Sequence, residues 1–285
     1  FHTASISKLF TAVAIIDLME QYGMSIDDKL LDIVPELKDE DNKLKDITLK
    51  SLLNHTSGLP DISNYHWSNN NQSDNSLREY ILSLNLKLDY KPSTEYQYSN
   101  LAYDILGYVI EKVSGSTFDD YLKDGILNKS GMKNSDFRYF KIQDSLKTSP
   151  HSKRRNSKKI YARTTYPYTR EHAPSSTLNS SSKDLCNWMI SFLRILTDPE
   201  INSKYLAMTR SDFSPNPYIG LGFQLSEINS KKNIGHYGGD KGFRSYLIMI
   251  PEENIGLVLL ANCDYDEDFR QEILHPIAKL MLTID

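Results

Sequence analysis

The chain is 285 residues long, enough for one large domain or two interlocked ones with a sizeable core. With 39% hydrophobic and 11% aromatic residues it is no disordered chain, and a net charge of only −4 excludes a strong field that would steer nucleic acid or anionic lipid. No apolar run approaches the ~18 residues of a membrane span, the longest being the strand-sized 246–250 and 255–261.

Residues 6–22 are apolar almost all round. Phe10, Val13, Ile15, Ile16, Leu18 and Met19 cover every face, which predicts a buried central helix ended by Gly23. A short helix is expected over 48–54, then a turn at Thr56-Ser57-Gly58-Leu59-Pro60. Residues 68–76 form a polar low-complexity loop. Leu101, Ile105, Leu106, Val109, Ile110 and Val113 recur at helical spacing, and Ser114-Gly115 closes that helix. Ser181 with Asp184 resembles a capping box ahead of another one-sided helix carrying Leu185, Trp188, Met189, Phe192 and Leu193. The C-terminal third changes character: 221–227, 232–236, 244–250 and 256–261 read as short strands, with Asn229-Ser230 and 251–254 as turns of antiparallel hairpins. A last helix is expected over about 267–282. Helices, then strands, then a helix give an α+β class, an antiparallel sheet flanked by helices.

Three short strings carry the chemistry. In Ser5-Ile6-Ser7-Lys8 the serine and lysine share a helix face, so a desolvated lysine can activate the serine, and the helix start offers free N–H groups where an oxyanion would form. The spacing alone says little, because Ser130/Lys133 and Ser180/Lys183 repeat it. Only Ser5 introduces a deeply apolar helix, in which Lys8 would be costly without a role; the plain alternative is a helix cap followed by a snorkelling lysine. Tyr98-Ser99-Asn100 is the only Tyr-x-Asn among 18 tyrosines. A phenol beside a lysine ammonium is expected to have its pKa pulled down and to shuttle a proton, while the amide can bond both substrate and lysine. The alternative is a loop tyrosine and a helix-capping asparagine. His236-Tyr237-Gly238-Gly239 ends a predicted strand; its glycines would let a substrate backbone approach, and its histidine could bind a carboxylate or hold a proton. A strand-end hairpin with a surface histidine is the bland counterpart.

Taken in this order, Ser5-x-x-Lys8, Tyr98-x-Asn100 and His236-x-Gly238 resemble the serine β-lactamase and penicillin-binding family, and most closely its class C-like branch, which includes esterases and D-amino-acid peptidases. The stretches 52–60, 98–115, 220–223 and 236–243 resemble it too, so the likeness covers nearly the whole chain. It implies a β-lactamase/transpeptidase-like fold: a discontinuous sheet-containing domain, 1–45 with 196–285, and a mainly helical domain, 46–195. It also implies an acyl-enzyme on Ser5, proton work shared by Lys8 and Tyr98, an oxyanion hole from the N–H groups of Ser5 and Gly239, and Asn100 holding the substrate amide and Lys8. His236 stands where many relatives carry lysine. As histidine is only partly charged near neutral pH, it is a weaker anchor for a β-lactam carboxylate. The expected substrates are therefore small esters or D-amino-acid-containing peptides and amides; a β-lactamase, or a penicillin-recognising sensor without turnover, is the alternative. No metal or organic cofactor is implied. The family's usual helix and two strands ahead of the nucleophile are absent here; they are expected in the full protein, since a sheet lacking them would expose an apolar edge. The resemblance suggests an exported bacterial protein.

Other features rank lower. Cys186 and Cys263 match no metal spacing and are too few for a disulfide framework, so both are read as core thiols. The basic run 151–159 reads as a solvated loop, His55 as packing, and Glu171-His172 lacks zinc-protease spacing. The 68–76 loop and a wall of Tyr161, Tyr166 and Tyr168 are expected to border the cleft.

Overall fold

The helix expected after Ser5 is the axle of the molecule. The computed structural model describes residues 1–39, 42–153, 159–265 and 268–283. Among these the chain forms ten α-helices in order: α1 (Ser7–Tyr22), α2 (Leu30–Ile33), α3 (Leu49–Leu53), α4 (Ser76–Ser83), α5 (Asn100–Ser114), α6 (Phe118–Leu122), α7 (Ala173–Ser176), α8 (Ser182–Thr197), α9 (Asn202–Met208) and α10 (His275–Met281). Seven strands accompany them: β1 (His151–Lys153), β2 (Ile160–Ala162), β3 (Gln224–Ile228), β4 (Lys231–Asp240), β5 (Phe243–Ile250), β6 (Ile255–Ala261) and β7 (Cys263–Asp264).

Every α1 residue from Ser7 to Ile16 is buried, and Gly23 closes the helix in the left-handed region. Each of its large apolar side chains contributes roughly 1.5–3 kcal/mol by leaving water. Leu9, Phe10, Ile105, Leu106, Trp188, Phe192 and Leu247 belong to one continuous core, so α1, α5, α8 and the sheet are packed as a unit. Thr48 caps α3 through a reciprocal box with Ser51, and Ser99 caps α5 by accepting the Ala102 N–H.

The main sheet is β3-β4-β5-β6, antiparallel throughout, as the hairpin pattern predicts. Asn229 and Ser230, both at positive φ (49° and 63°), make the tight β3–β4 turn. Three details differ from expectation. β4 does not stop at His236 but runs to Asp240, because Tyr237, Gly238, Gly239 and Asp240 stay paired with β5; glycine's low strand propensity hid this extension. β1, β2 and β7 form a second sheet whose segments are too short for a periodic signal; His151–Lys153 of the basic run is thus a strand, while 154–158 lie outside the described residues. The last helix starts late: a wider turn spans Arg270–Leu274 before α10, and residue 267 lies outside the described residues. β6, whose residues are all half-buried, pairs only with β5 in its sheet.

α5 and α7 touch at Gly107, where an added Cβ would lie 2.0 Å from Pro174 Cγ. Arg170 pins the turn leading into α7: buried, it donates from Nε to Asp119 Oδ2 at 2.6 Å and from its guanidinium to Asp74. Gly107→Ala should therefore destabilise the fold by about 1–3 kcal/mol, as overpacked core sites do. Urea midpoints will check this against Gly125→Ala, whose Cβ meets nothing within 4 Å and should unfold like the parent.

Candidate active site

Ser5 sits in a single 3-10 turn, Ala4–Ile6, that runs straight into α1. The residue before it, Ala4, is fully buried with φ 47°, a strained conformation that a small side chain tolerates best. This entry is stitched down on both sides. Thr3 donates its N–H and hydroxyl to the Leu178 carbonyl, and its own carbonyl accepts the Ser245 hydroxyl of β5 at 2.6 Å. Ser5 lies in the first helical turn, where N–H groups lack intrahelical acceptors.

One turn on, Lys8 is completely buried. Its Nζ lies 3.0 Å from Ser5 Oγ, 2.5 Å from Asn100 Oδ1 and 2.7 Å from the Ser175 carbonyl oxygen. Asn100 Oδ1 and the Ser175 carbonyl can only accept, so they take two N–H bonds, and the third direction faces a hydroxyl. A neutral amine fits this set: two hydrogens to the acceptors and its lone pair to the Ser5 O–H. Burial favours that form, bringing the Lys8 pKa down to about 7 against the opposing pull of Asp104, Asp240 and Asp61. The snorkelling alternative is thereby excluded, since the amine does not reach solvent.

Tyr98 Oη is 2.9 Å from the same Ser5 Oγ. Its pKa is not pulled down as expected; burial pushes it above the ordinary phenol value, and the hydroxyl stays protonated. Its ring leans on His55, centroids 4.4 Å apart, which also contacts Tyr103. His55 Nδ1 accepts the Ser99 N–H at 3.1 Å, and burial holds the imidazole neutral. The packing assigned to His55 from sequence is thus packing against Tyr98 itself. Asn100 is the first residue of α5, not its cap; Ser99 is.

The third motif lies alongside. β3 begins opposite Gly235, so beyond that point β4 is paired within the sheet on the β5 side alone. A Cβ at Gly238 would lie 2.3 Å from the Thr3 carbonyl oxygen and 3.0 Å from Ser5 N. The glycine is needed for the close approach of the chain's own Ser5 segment. Gly239 is less constrained, since its Cβ would meet the Arg244 side chain at 3.4 Å or more. His236 is 2% exposed, its Nδ1 lies 2.6 Å from the Tyr237 carbonyl, and burial with the Lys8 charge lowers its pKa to about 3. It is therefore a neutral group, neither a surface histidine nor a partly charged anchor.

Several neighbours had no sequence signal. Asp61 accepts the backbone N–H of Asn100 at 2.8 Å and its side-chain Nδ2 at 2.9 and 3.2 Å. Asp104 and His172 form a fully buried pair at 2.7 Å, one residue type on α5 and the other just before α7. Buried His2 and partly buried Asp240, the last residue of β4, lie 2.7 Å apart. All lie far apart in sequence, without a spacing rule that links them. The tyrosine wall also differs. Tyr168 is core, Tyr166 is packed on Tyr139, His2 and Phe243, and Tyr161 lies exposed on β2. Elsewhere Tyr65 and Trp67 stack at 5.2 Å, with Tyr65 against His172 and Lys241 over the Trp67 ring at 5.5 Å.

Comparison with known proteins places the chain as a whole. Protein flp of Staphylococcus aureus (strain MW2) is 28% identical over 92% of this chain and 52% of its own length. Penicillin-binding protein 4* of Bacillus subtilis (strain 168) is 28% identical over 96% of this chain and 63% of its own. The chain thus spans roughly half to two thirds of these curated relatives. The octameric penicillin-binding protein homologue from Pyrococcus abyssi superimposes with a TM-score of 0.81 at 26% identity, covering 99% of this chain and 66% of that one. D-amino acid amidase from Ochrobactrum anthropi SV3 shares the fold, with a TM-score of 0.80 at 20% identity over 99% of this chain and 83% of that one. The Beta-lactamase family matches residues 1–280, and with the α+β architecture of its penicillin-binding relatives in place, the chain belongs to that family.

Proposed function

We propose that this protein is a serine hydrolase that forms an acyl-enzyme on Ser5 and acts on small esters or D-amino-acid-containing amides and peptides. The observation that carries the reading is that one hydroxyl, Ser5 Oγ, meets both Lys8 Nζ at 3.0 Å and Tyr98 Oη at 2.9 Å, with the lysine buried and close to neutrality.

In this reading neutral Lys8 takes the Ser5 proton as Oγ attacks the substrate carbonyl. The N–H groups of Ser5 and Gly239 receive the developing oxyanion. Tyr98, held protonated by burial, gives its proton to the leaving oxygen or nitrogen and regains one from the Lys8 ammonium through water. Water, deprotonated by the same pair, then cleaves the acyl-enzyme and restores Ser5. Of the two partners this reading makes Lys8 the base, which its pKa of about 7 supports, while burial raises the Tyr98 phenol above its ordinary value.

Two features favour esters and amides over β-lactams. Neutral His236 offers no positive charge to a substrate carboxylate. A D-amino acid amidase is also among the fold neighbours. The test is a panel of p-nitrophenyl acetate, D-amino acid amides and nitrocefin on the intact protein, with the fluorophosphonate adduct located by mass spectrometry. Adduct at Ser5 with ester or amide turnover supports the reading; no adduct and no turnover, or nitrocefin as the best substrate, overturns it.

Ser5→Ala should abolish turnover, and Lys8→Ala should lower kcat by at least about 10³-fold, within the range of losing an activating base. Steady-state kinetics on both variants will show it. Because neutral Lys8 is the active form, kcat/KM should rise with pH through about 7. A profile flat from pH 5 to 9 would contradict a lysine base.

A further inference from the structure

Asn100 has to present its oxygen, not its nitrogen, to Lys8, and an amide alone does not settle that choice. Its two ends are nearly the same shape, and a half-turn would set NH2 against the lysine hydrogens. Asp61 is built to prevent this. Its carboxylate, an acceptor only when ionised, takes the Asn100 backbone N–H at 2.8 Å and Nδ2 at 2.9 and 3.2 Å. With the amide nitrogen committed there, Oδ1 must face Lys8, where it lies 2.5 Å from Nζ.

We propose that Asp61 is a positioning residue of the hydrolase, a carboxylate clamp that fixes the Asn100 amide and thereby the Lys8 amine facing Ser5. This rests on the serine-hydrolase reading above. Satisfying the free N–H groups at the start of α5 accounts for the bond to the Asn100 N–H but not for the two contacts to its Nδ2, which act on the side chain alone. The clamp is itself held: the Ile62 N–H bonds Asp61 Oδ1 at 2.8 Å, and the Ser99 hydroxyl bonds the Pro60 carbonyl at 2.9 Å, tying the 60–62 segment to the Tyr98–Asn100 motif. Asp61 also carries a charge close enough to favour the Lys8 ammonium, as Asp104 on α5 and Asp240 on β4 do. His55 and His236 face the same amine as neutral groups, with Tyr98 and Tyr103 rings 5.0 and 5.5 Å from Nζ.

The experiment compares the intact protein with Asp61→Asn and Asp61→Glu. Lys8 ionisation is followed directly by NMR of labelled lysine, and the rate of Ser5 phosphonylation by a fluorophosphonate is measured across pH. In Asp61→Asn the amide is released and a negative charge is lost, so the Lys8 midpoint should fall by about half a unit, a modest effect for a partly exposed neighbouring charge. Phosphonylation should slow by about tenfold or more at every pH, while the melting temperature stays within about 2 °C of the parent, as for a surface change. Asp61→Glu, which keeps the charge and both acceptors, should recover part of the rate. An unchanged Lys8 midpoint with parental rates in Asp61→Asn overturns the clamp. So does a rate loss matched by lost thermal stability and not eased by glutamate. A parent that never labels at Ser5 while its Lys8 midpoint still moves in Asp61→Asn overturns the hydrolase reading and leaves the clamp standing.

Discussion

A lysine amine without any exposed surface is the constraint around which this molecule is arranged. Ionised and unpaired, such a group would cost several kcal/mol. Neutral, it still needs two acceptors and a partner for its lone pair. Here the partners come from three places: Ser5 from the entry to α1, Asn100 from the start of α5, and Ser175 from α7. These elements cannot shift independently without orphaning the amine. That explains why so much structure with no chemistry of its own surrounds it. Arg170 holds the approach to α7, Gly107 lets α7 lie against α5, and Thr3 ties the start of the chain to Leu178 and β5.

The second constraint is the distance between β4 and Ser5. A strand that passes this close to a helix entry has no room for a side chain, and Gly238 meets that demand. The same closeness sets the character of the neighbouring position. His236 is sealed between β4 and the Lys8–Tyr98 cluster, its ring 6.3 Å from that of Tyr98, and burial makes a cation there unfavourable. Its neutrality is thus a result of packing, and not of histidine's ordinary pKa.

Much of this was legible in the sequence where the signal is local. The all-round apolar pattern of 6–22 gives a buried helix, Gly23 and Gly115 close α1 and α5, and Asn229-Ser230 gives the hairpin. Ser5, Lys8, Tyr98, Asn100, His236 and Gly238 are brought together, as the ordered motifs imply. What escaped is of two kinds. β4 continues through two glycines because cross-strand pairing with β5 outweighs their poor propensity, which a single strand's pattern cannot register. Asp61, Asp104 and His172 reach the site through tertiary folding alone, Asp61 lying 39 positions from Asn100 and Asp104 68 from His172, and no spacing rule connects a carboxylate in a loop to an amide on a later helix. Ionisation escaped for the same reason. The sequence offers only histidine's ordinary pKa for His236 and a lysine neighbour for Tyr98, but burial, invisible in sequence, governs both.

The charges around Ser5 also bear on what the proposed reaction can use. Asp61, Asp104 and Asp240 all act on Lys8, whereas the imidazoles of His55 and His236 are held neutral. Were Lys8 surrounded by cations, burial would drive its pKa far below neutrality, leaving a weak base; with carboxylates alone and no burial, it would stay an ammonium. The balance at about 7 needs both. The same balance leaves little positive charge to attract an anionic substrate, so recognition in the proposed reaction must come from the hydrogen-bonding groups of Ser5, Asn100 and the β4 backbone. Such groups suit a neutral ester or amide better than a carboxylate, so the substrate class proposed for this site and the basicity of its lysine rest on one electrostatic arrangement.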